Sequence, residues 1–198
     1  DRWYEIGSVY TTVDAGLNTD LSESSRYMLA QQAACAGKIV MSRTQCVSPE
    51  KEKETEDFLQ KVLAEFQCSR SLEHDIYRKD WNKMNDSDFQ ELTKSGYRTE
   101  KCGKLWIDQR EAYTSVYYMN LPIQEIELKD AAERILKDKE CGKVFRIKGF
   151  LKKEDGSWLE LNITHDQMSV EPIPKGQEVI IVIGEKLNQE KINQYLGK

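Results

Sequence analysis

Asp14 is the first side chain whose type and position could do chemistry. It ends the β-branched and aromatic run Val9-Tyr10-Thr11-Thr12-Val13 and precedes Ala15-Gly16, a flexible exit. Phosphoryl-transfer sites need carboxylates or hydroxyls for magnesium, so a carboxylate at a strand's carboxyl end makes Asp14 the candidate magnesium or nucleotide contact. The same residue type also serves turns and helix caps. A second group, Ser42, Arg43 and Gln45, lies in Met41-Ser42-Arg43-Thr44-Gln45, after the apolar run Lys38-Ile39-Val40-Met41 and before Ser48-Pro49-Glu50. A hydroxyl, a guanidinium and an amide in a strand-to-helix loop can meet the edge of a nucleobase. Gln45 brings only one acceptor oxygen beside an amide donor.

Other chemistry is poorly served. Cradling a triphosphate takes main-chain N–H groups and a lysine, normally from Gly-x-x-x-x-Gly-Lys-Ser/Thr, and no such segment lies between Asp1 and Lys198. His74 and His165 are the two histidines, and neither accompanies a Ser or Cys in a nucleophile motif. His165-Asp166 offers two neighbouring ligands, short of a coordination sphere. Cys35, Cys46, Cys68, Cys102 and Cys141 are odd in number and contain no Cys-x-x-Cys pair, which argues against a disulfide framework and a zinc site. No catalytic residue and no metal site are expected from this chain alone.

The elements that position these residues change character along the chain. Val9–Val13 and Lys38–Met41 predict buried strands. A helix is expected over Ser25–Ala36. Another starts at Ser48, with Pro49 in its first turn and Phe58, Leu59, Val62, Leu63 and Phe66 as its apolar stripe. Strand, helix, strand, helix predicts a parallel α/β layer. Two strands with one helix between them cannot bury both faces of a sheet, so the layer is expected to need more strands than the chain supplies. Ser69–Gln109 is polar and predicts a connector, with one helix over Asn85–Ser95 turning Phe89 and Leu92 inward.

Beyond it, Tyr113–Asn120 predicts a strand and Lys129–Asp138 a helix. Phe145, Ile147 and Leu151 alternate with Arg146, Lys148 and Lys152, and Leu159, Leu161 and Ile163 resume the alternation after the Glu154–Ser157 turn. Val179-Ile180-Ile181-Val182-Ile183 predicts a central strand with Ile181 buried, and Asn188 the cap of a last helix. The expected fold class is therefore α/β plus α+β: a partial parallel α/β segment over 1–110, which a family resemblance makes P-loop GTPase-like, then a small four-stranded antiparallel sheet with helices on one face over 111–198.

A net charge of −5, with acids and bases interleaved, argues against a nucleic-acid partner. No apolar stretch approaches the ~18 residues of a membrane span. The opening Asp1-Arg2-Trp3-Tyr4-Glu5 has no signal-peptide pattern, and the scattered cysteines fit free thiols in a reducing cytoplasm.

Several pieces in order resemble the CobW-type GTPases, relatives of cobalamin-synthesis and nitrile-hydratase-activator proteins. Val9-Tyr10-Thr11-Thr12-Val13-Asp14-Ala15 resembles the family's strand ending in Val-Asp-Ala. Gln31 or Gln32 with Ala33, Ala34 and Ala36 resembles the Gln-x-x-x-Ala-Asp segment before its Asn-Lys-x-Asp strand. In that motif the Asp accepts two hydrogen bonds from guanine; here the loop has become Ser42-Arg43-Thr44-Gln45, a degenerate base-recognition loop. Phe145-Arg146-Ile147-Lys148-Gly149-Phe150-Leu151 resembles the Arg-x-Lys-Gly strand opening the family's C-terminal domain. Trp158 and Ile181-Val182-Ile183-Gly184-Glu185 fit that domain's close.

The resemblance implies a GTP-dependent metal-homeostasis protein or metallochaperone, with GTP, magnesium and a transition metal (zinc or cobalt) used by the full-length parent. It places the phosphate loop and the Cys-x-Cys-Cys metal motif upstream of Asp1. The chain is therefore expected to be a fragment, or a divergent relative, not competent for nucleotide hydrolysis as given. Its expected partners are an N-terminal GTPase segment and a client metalloprotein. The alternative is a non-catalytic module whose C-terminal sheet docks such a client.

Overall fold

The computed structural model describes Trp3, residues 5–107 and residues 113–198. It divides into two units, Asp1–Trp106 and Ile107–Lys198. The expected boundary between 110 and 111 lies outside the described residues.

In the first unit the helices begin where their caps dictate. Ser22 opens α1 (Glu23–Cys35), its hydroxyl accepting the Ser25 N–H at 3.2 Å. Ser48 opens α2 (Pro49–Glu65) by accepting the Lys51 N–H at 3.3 Å, and Pro49 stands in the first turn, where a missing N–H is tolerated. β1 (Tyr10–Asp14) pairs in parallel with β2 (Lys38–Ser42), Tyr10 opposite Lys38 and Asp14 opposite Ser42. A third parallel strand, β3 (Ile76–Arg78), completes the order β1-β2-β3. That strand corrects the expectation of a plain connector. Three residues are too few to show an alternating pattern, and β3 forms because the far edge of β2 offers backbone partners: Ile39 N–H donates to the Asp75 carbonyl at 2.8 Å.

One face of this sheet packs Val13, Ile39 and Met41 against the alanines of α1 and against Leu59, Val62 and Leu63 of α2. Ala30, Ala33 and Ala34 give α1 a small-residue face on the core. On the other face, α3 (Asp86–Thr93) brings Leu92 onto Val40 and Tyr77. Phe89, expected inward, is 54% exposed; the one-sided apolar seam of this short helix falls at Leu92. Tyr10 and Thr12 of β1 stay exposed, and among the described residues no strand pairs with the outer edge of β1.

The second unit is one antiparallel sheet in the order β4-β8-β5-β6-β7. The strands are β4 (Thr114–Met119), β5 (Lys143–Lys152), β6 (Trp158–Thr164), β7 (Met168–Ile173) and β8 (Val179–Glu185). Ile147, Leu151, Leu161, Ile163, Ile180 and Val182 face α4 (Glu125–Lys137) and α5 (Gln189–Leu196), whose Leu128, Ile135, Ile192 and Leu196 fill the same core. Four strands were expected and five are present. β7 escapes pattern reading because it carries Glu171 and Pro172, yet as an edge strand it can spare the N–H that proline lacks. α4 starts at Glu125 rather than Lys129, because the Gln124 N–H donates to Glu127 Oε2 at 3.0 Å and closes the first turn. In β8 Ile180 and Val182 are buried, as are Gly184 and Glu185 at its end, and Ile181 lies half-buried on the face away from the helices. No helix among the described residues is long and apolar enough to cross a membrane.

Candidate functional site

The parallel register of β1 and β2 brings Asp14 beside Ser42 at the carboxyl end of the sheet. Asp14 Oδ1 accepts the Gly16 N–H at 2.9 Å, the turn chemistry its residue type favours. Its Oδ2 lies 3.3 Å from Arg43 Nε. Arg43 stands in the left-handed region (φ 59°), which swings its side chain back toward Asp14 as the chain enters a short 3-10 turn over Thr44–Cys46. Ser42 Oγ donates to the Val13 carbonyl at 3.3 Å. Of the residues singled out from sequence, Asp14, Ser42 and Arg43 thus meet at one corner. Gln45 projects exposed from the turn.

One member of the corner escaped the sequence reading. Thr55, fully buried on α2, donates its hydroxyl to the Ala15 carbonyl at 2.8 Å and ties the loop after β1 to that helix. The signal was its helical spacing with Leu59 and Val62, a polar residue in an apolar seam.

The donor set tests poorly against a magnesium nucleotide. Asp14 Oδ1 accepts the Gly16 N–H and Oδ2 pairs with the Arg43 guanidinium, so the one carboxylate at this corner, about a third exposed, already has its charge partnered against a hard cation. Gln45 supplies a single carbonyl where guanine needs two acceptors. Among the described residues no group of three or more His, Cys, Asp or Glu side chains could hold a metal ion. His165 sets a ring nitrogen 2.8 Å from the Val144 carbonyl, and His74 is exposed, its carbonyl accepting Lys38 Nζ at 3.1 Å. A cavity of about 370 Å³ beside α2 is lined by charged side chains, most of them ion-paired: Arg78 with Glu52 and Glu56, Arg70 with Asp75, Lys53 with Asp57.

In the second unit, β5 carries the basic segment noticed in sequence. Arg146 Nε donates to Asn162 Oδ1 at 2.6 Å on the neighbouring strand. Lys148 pairs with Glu160 at 2.7 Å and lies 4.8 Å from the Phe150 ring centroid. Residues 114–198 match the family model of the cobalamin synthesis protein cobW C-terminal domain. That stretch is a CobW C-terminal domain.

Its Arg146-Ile147-Lys148-Gly149 segment has a physical reason in this geometry. Arg146 and Lys148 each find a partner across to β6, while Gly149 lies on the helix side. A Cβ at Gly149 would sit 2.6 Å from Leu128 Cδ2, so the glycine lets α4 settle directly on the sheet. On the open face of the CobW C-terminal domain, Tyr117 stands opposite Ile181 and Met119 opposite Val179, with Tyr117 60% and Met119 47% exposed.

Among solved structures, the chain is similar to the crystal structure of Zn(II)-bound YjiA GTPase from E. coli, at 19% identity and a TM-score of 0.40, covering 98% of this chain. A Zn(II)-bound triple mutant of YjiA GTPase gives 17% identity, a TM-score of 0.41 and the same 98% coverage. The chain spans 61% of the length of each. No curated protein matches it.

Proposed function

We propose that the chain is the C-terminal part of a CobW-type, GTP-dependent metal-homeostasis protein of the cytoplasm, a metallochaperone that by itself does not hydrolyse nucleotide. The observation that carries this reading is the match of 114–198 to the CobW C-terminal domain, preceded in the same polypeptide by a parallel layer whose first strand has no strand paired to its outer edge among the described residues. An N-terminal GTPase segment would supply the missing neighbour of β1 together with the phosphate cradle, and the parent would use GTP, magnesium and zinc or cobalt. Ser42, Arg43 and Gln45 are then a degenerate base-recognition loop, and Asp14 is the residue nearest the nucleotide.

Titration of the 198-residue chain with labelled GTP at micromolar concentration is expected to show no saturable binding, because base contacts alone would have to supply all the affinity. Saturable binding would overturn the proposal's claim of incompetence. Sequencing the coding region ahead of Asp1 tests the parent directly: a Gly-x-x-x-x-Gly-Lys-Ser/Thr segment supports it.

The row of Tyr117, Met119 and Ile181 favours a second reading, a module that docks a client metalloprotein through its open sheet face without hydrolysis. A coding region that starts near Asp1, with no hydrolysis by its product, would put this reading first.

A further inference from the structure

Three thiols of the first unit form a row graded from solvent to core. Cys35, the last residue of α1, is exposed, Cys102 is half-buried, and Cys68, just past α2, is buried. The segment carrying Cys102 crosses the ends of both helices. Arg98 N–H donates to the Cys35 carbonyl at 2.9 Å, and Gly103 N–H donates to the Phe66 carbonyl at 2.7 Å. Cys35 Sγ lies 4.0 Å from the Glu100 carbonyl oxygen. Cys68 is buried in the apolar cluster against which Cys102 packs, and the Gly103–Phe66 hydrogen bond sets the two residues side by side along the chain. Cys46 is exposed too, but it follows β2 whereas Cys35 precedes it, at the strand's other end.

We propose that this row is an oxidation relay in which a peroxide attacks at Cys35 and the oxidation comes to rest as a Cys68–Cys102 disulfide. In the first step Cys35 displaces water from hydrogen peroxide and becomes a sulfenic acid. Cys102 then attacks the Cys35 sulfur, and its proton leaves with the hydroxyl as a second water, giving a Cys35–Cys102 disulfide. Cys68 attacks the Cys102 sulfur, its proton passes to Cys35, and Cys35 returns to the thiol. Two thiols and one peroxide yield one disulfide and two waters.

Burial, with the neighbouring Cys68 and Cys35, pushes the Cys102 thiol up to about 11, so at neutral pH it stays protonated and does not meet the oxidant first. The finished bond would close the chain between Cys68 and Cys102 and tie the end of α2 to the segment after α3, constraining the unfolded state.

The test treats the folded chain with hydrogen peroxide equimolar to protein, blocks remaining thiols under denaturing conditions, and maps non-reduced peptides by mass spectrometry. A linked Cys68–Cys102 pair with free Cys35 is expected, and the thermal midpoint should rise by about 5 °C or more. Cys35→Ser should give the same linked pair at least about tenfold more slowly, and Cys102→Ala should leave a trappable sulfenic acid at Cys35 with Cys68 free. Cys46→Ser should change nothing, and circular dichroism of each variant confirms folding. Oxidation confined to Cys35 or Cys46 with Cys68 and Cys102 free overturns the disulfide, and an unchanged rate in Cys35→Ser overturns the relay.

Discussion

Gly149 shows how much a single missing methyl can decide. Its place on β5 faces the fully buried Leu128, so Gly149→Ala forces a buried side chain to shift within a packed core. The expected cost is about 1–3 kcal/mol, read as a lower thermal midpoint of the second unit; a melt identical to the parent's would contradict the packing. Val182 and Ile181 make a sharper pair. They are adjacent on an interior strand, yet Val182 is buried under the helices while Ile181 looks the other way. Val182→Asp is expected to cost on the order of 4 kcal/mol, as an unpaired charge in an apolar core, and Ile181→Asp about 1 kcal/mol. Chemical denaturation of both variants decides it, and equal losses would mean the facing of β8 is wrong. At Asp14, residue type alone left a magnesium contact and a turn both open. In the fold its Oδ1 accepts the Gly16 N–H of such a turn, and its Oδ2 pairs with the Arg43 guanidinium while the side chain stays partly exposed.

At the scale of elements, α3 is held at its start by a reciprocal cap. Asn85 Oδ1 accepts the Ser87 N–H at 3.0 Å, and Asp88 Oδ2 accepts the Asn85 N–H at 2.7 Å. Lys79 Nζ reaches the same oxygen at 2.5 Å. Lys79 foremost, then the Tyr77 hydroxyl and the Asn85 N–H, hold the Asp88 carboxyl down to about 2. A carboxylate with a depressed folded value contributes stability that is present above its unfolded value of about 4 and lost as pH falls toward the folded one. The start of α3 should therefore loosen between about pH 4 and pH 2, seen as a midpoint near 2 for the Asp88 carboxyl in an NMR titration. A midpoint near 4 would remove the cap from the account, and Asp88→Asn should abolish the transition. Caps of this kind were legible beforehand, at Ser48 and Asn188, because a cap is local chemistry. β3 and β7 were not, because short edge or near-edge strands exist through their neighbours' unpaired backbone and leave no pattern of their own.

At the scale of the molecule, the two units differ in how completely each encloses its core. The second draws its buried cluster entirely from residues 118–196 and covers one sheet face with two helices. The first leaves β1 exposed at Tyr10 and Thr12 and, among the described residues, open along its outer edge, an unusual state for a parallel sheet. A fragment from Tyr113 to Lys198 is accordingly expected to melt in one cooperative transition. A broad, sloping melt of that fragment would show that its core is not self-sufficient.

The sequence by itself determined the class of both halves, the strand-to-helix loops that hold Asp14 and Ser42–Gln45, and the CobW-like character of the final third. All of these rest on periodicity, capping and short motifs, which act within a few residues of chain. Only the tertiary structure decided that Arg43 turns back onto Asp14, that Thr55 grips the Ala15 carbonyl, that Ile181 faces away from the helices, and that the segment carrying Cys102 bonds to the end of α1 at Cys35 and to Phe66 beside Cys68. Those contacts join residues 29 to 67 or so positions apart or hang on which side of a sheet a helix packs. No local pattern encodes them, because they follow from the register of β1 on β2 and from the path the chain takes after α3.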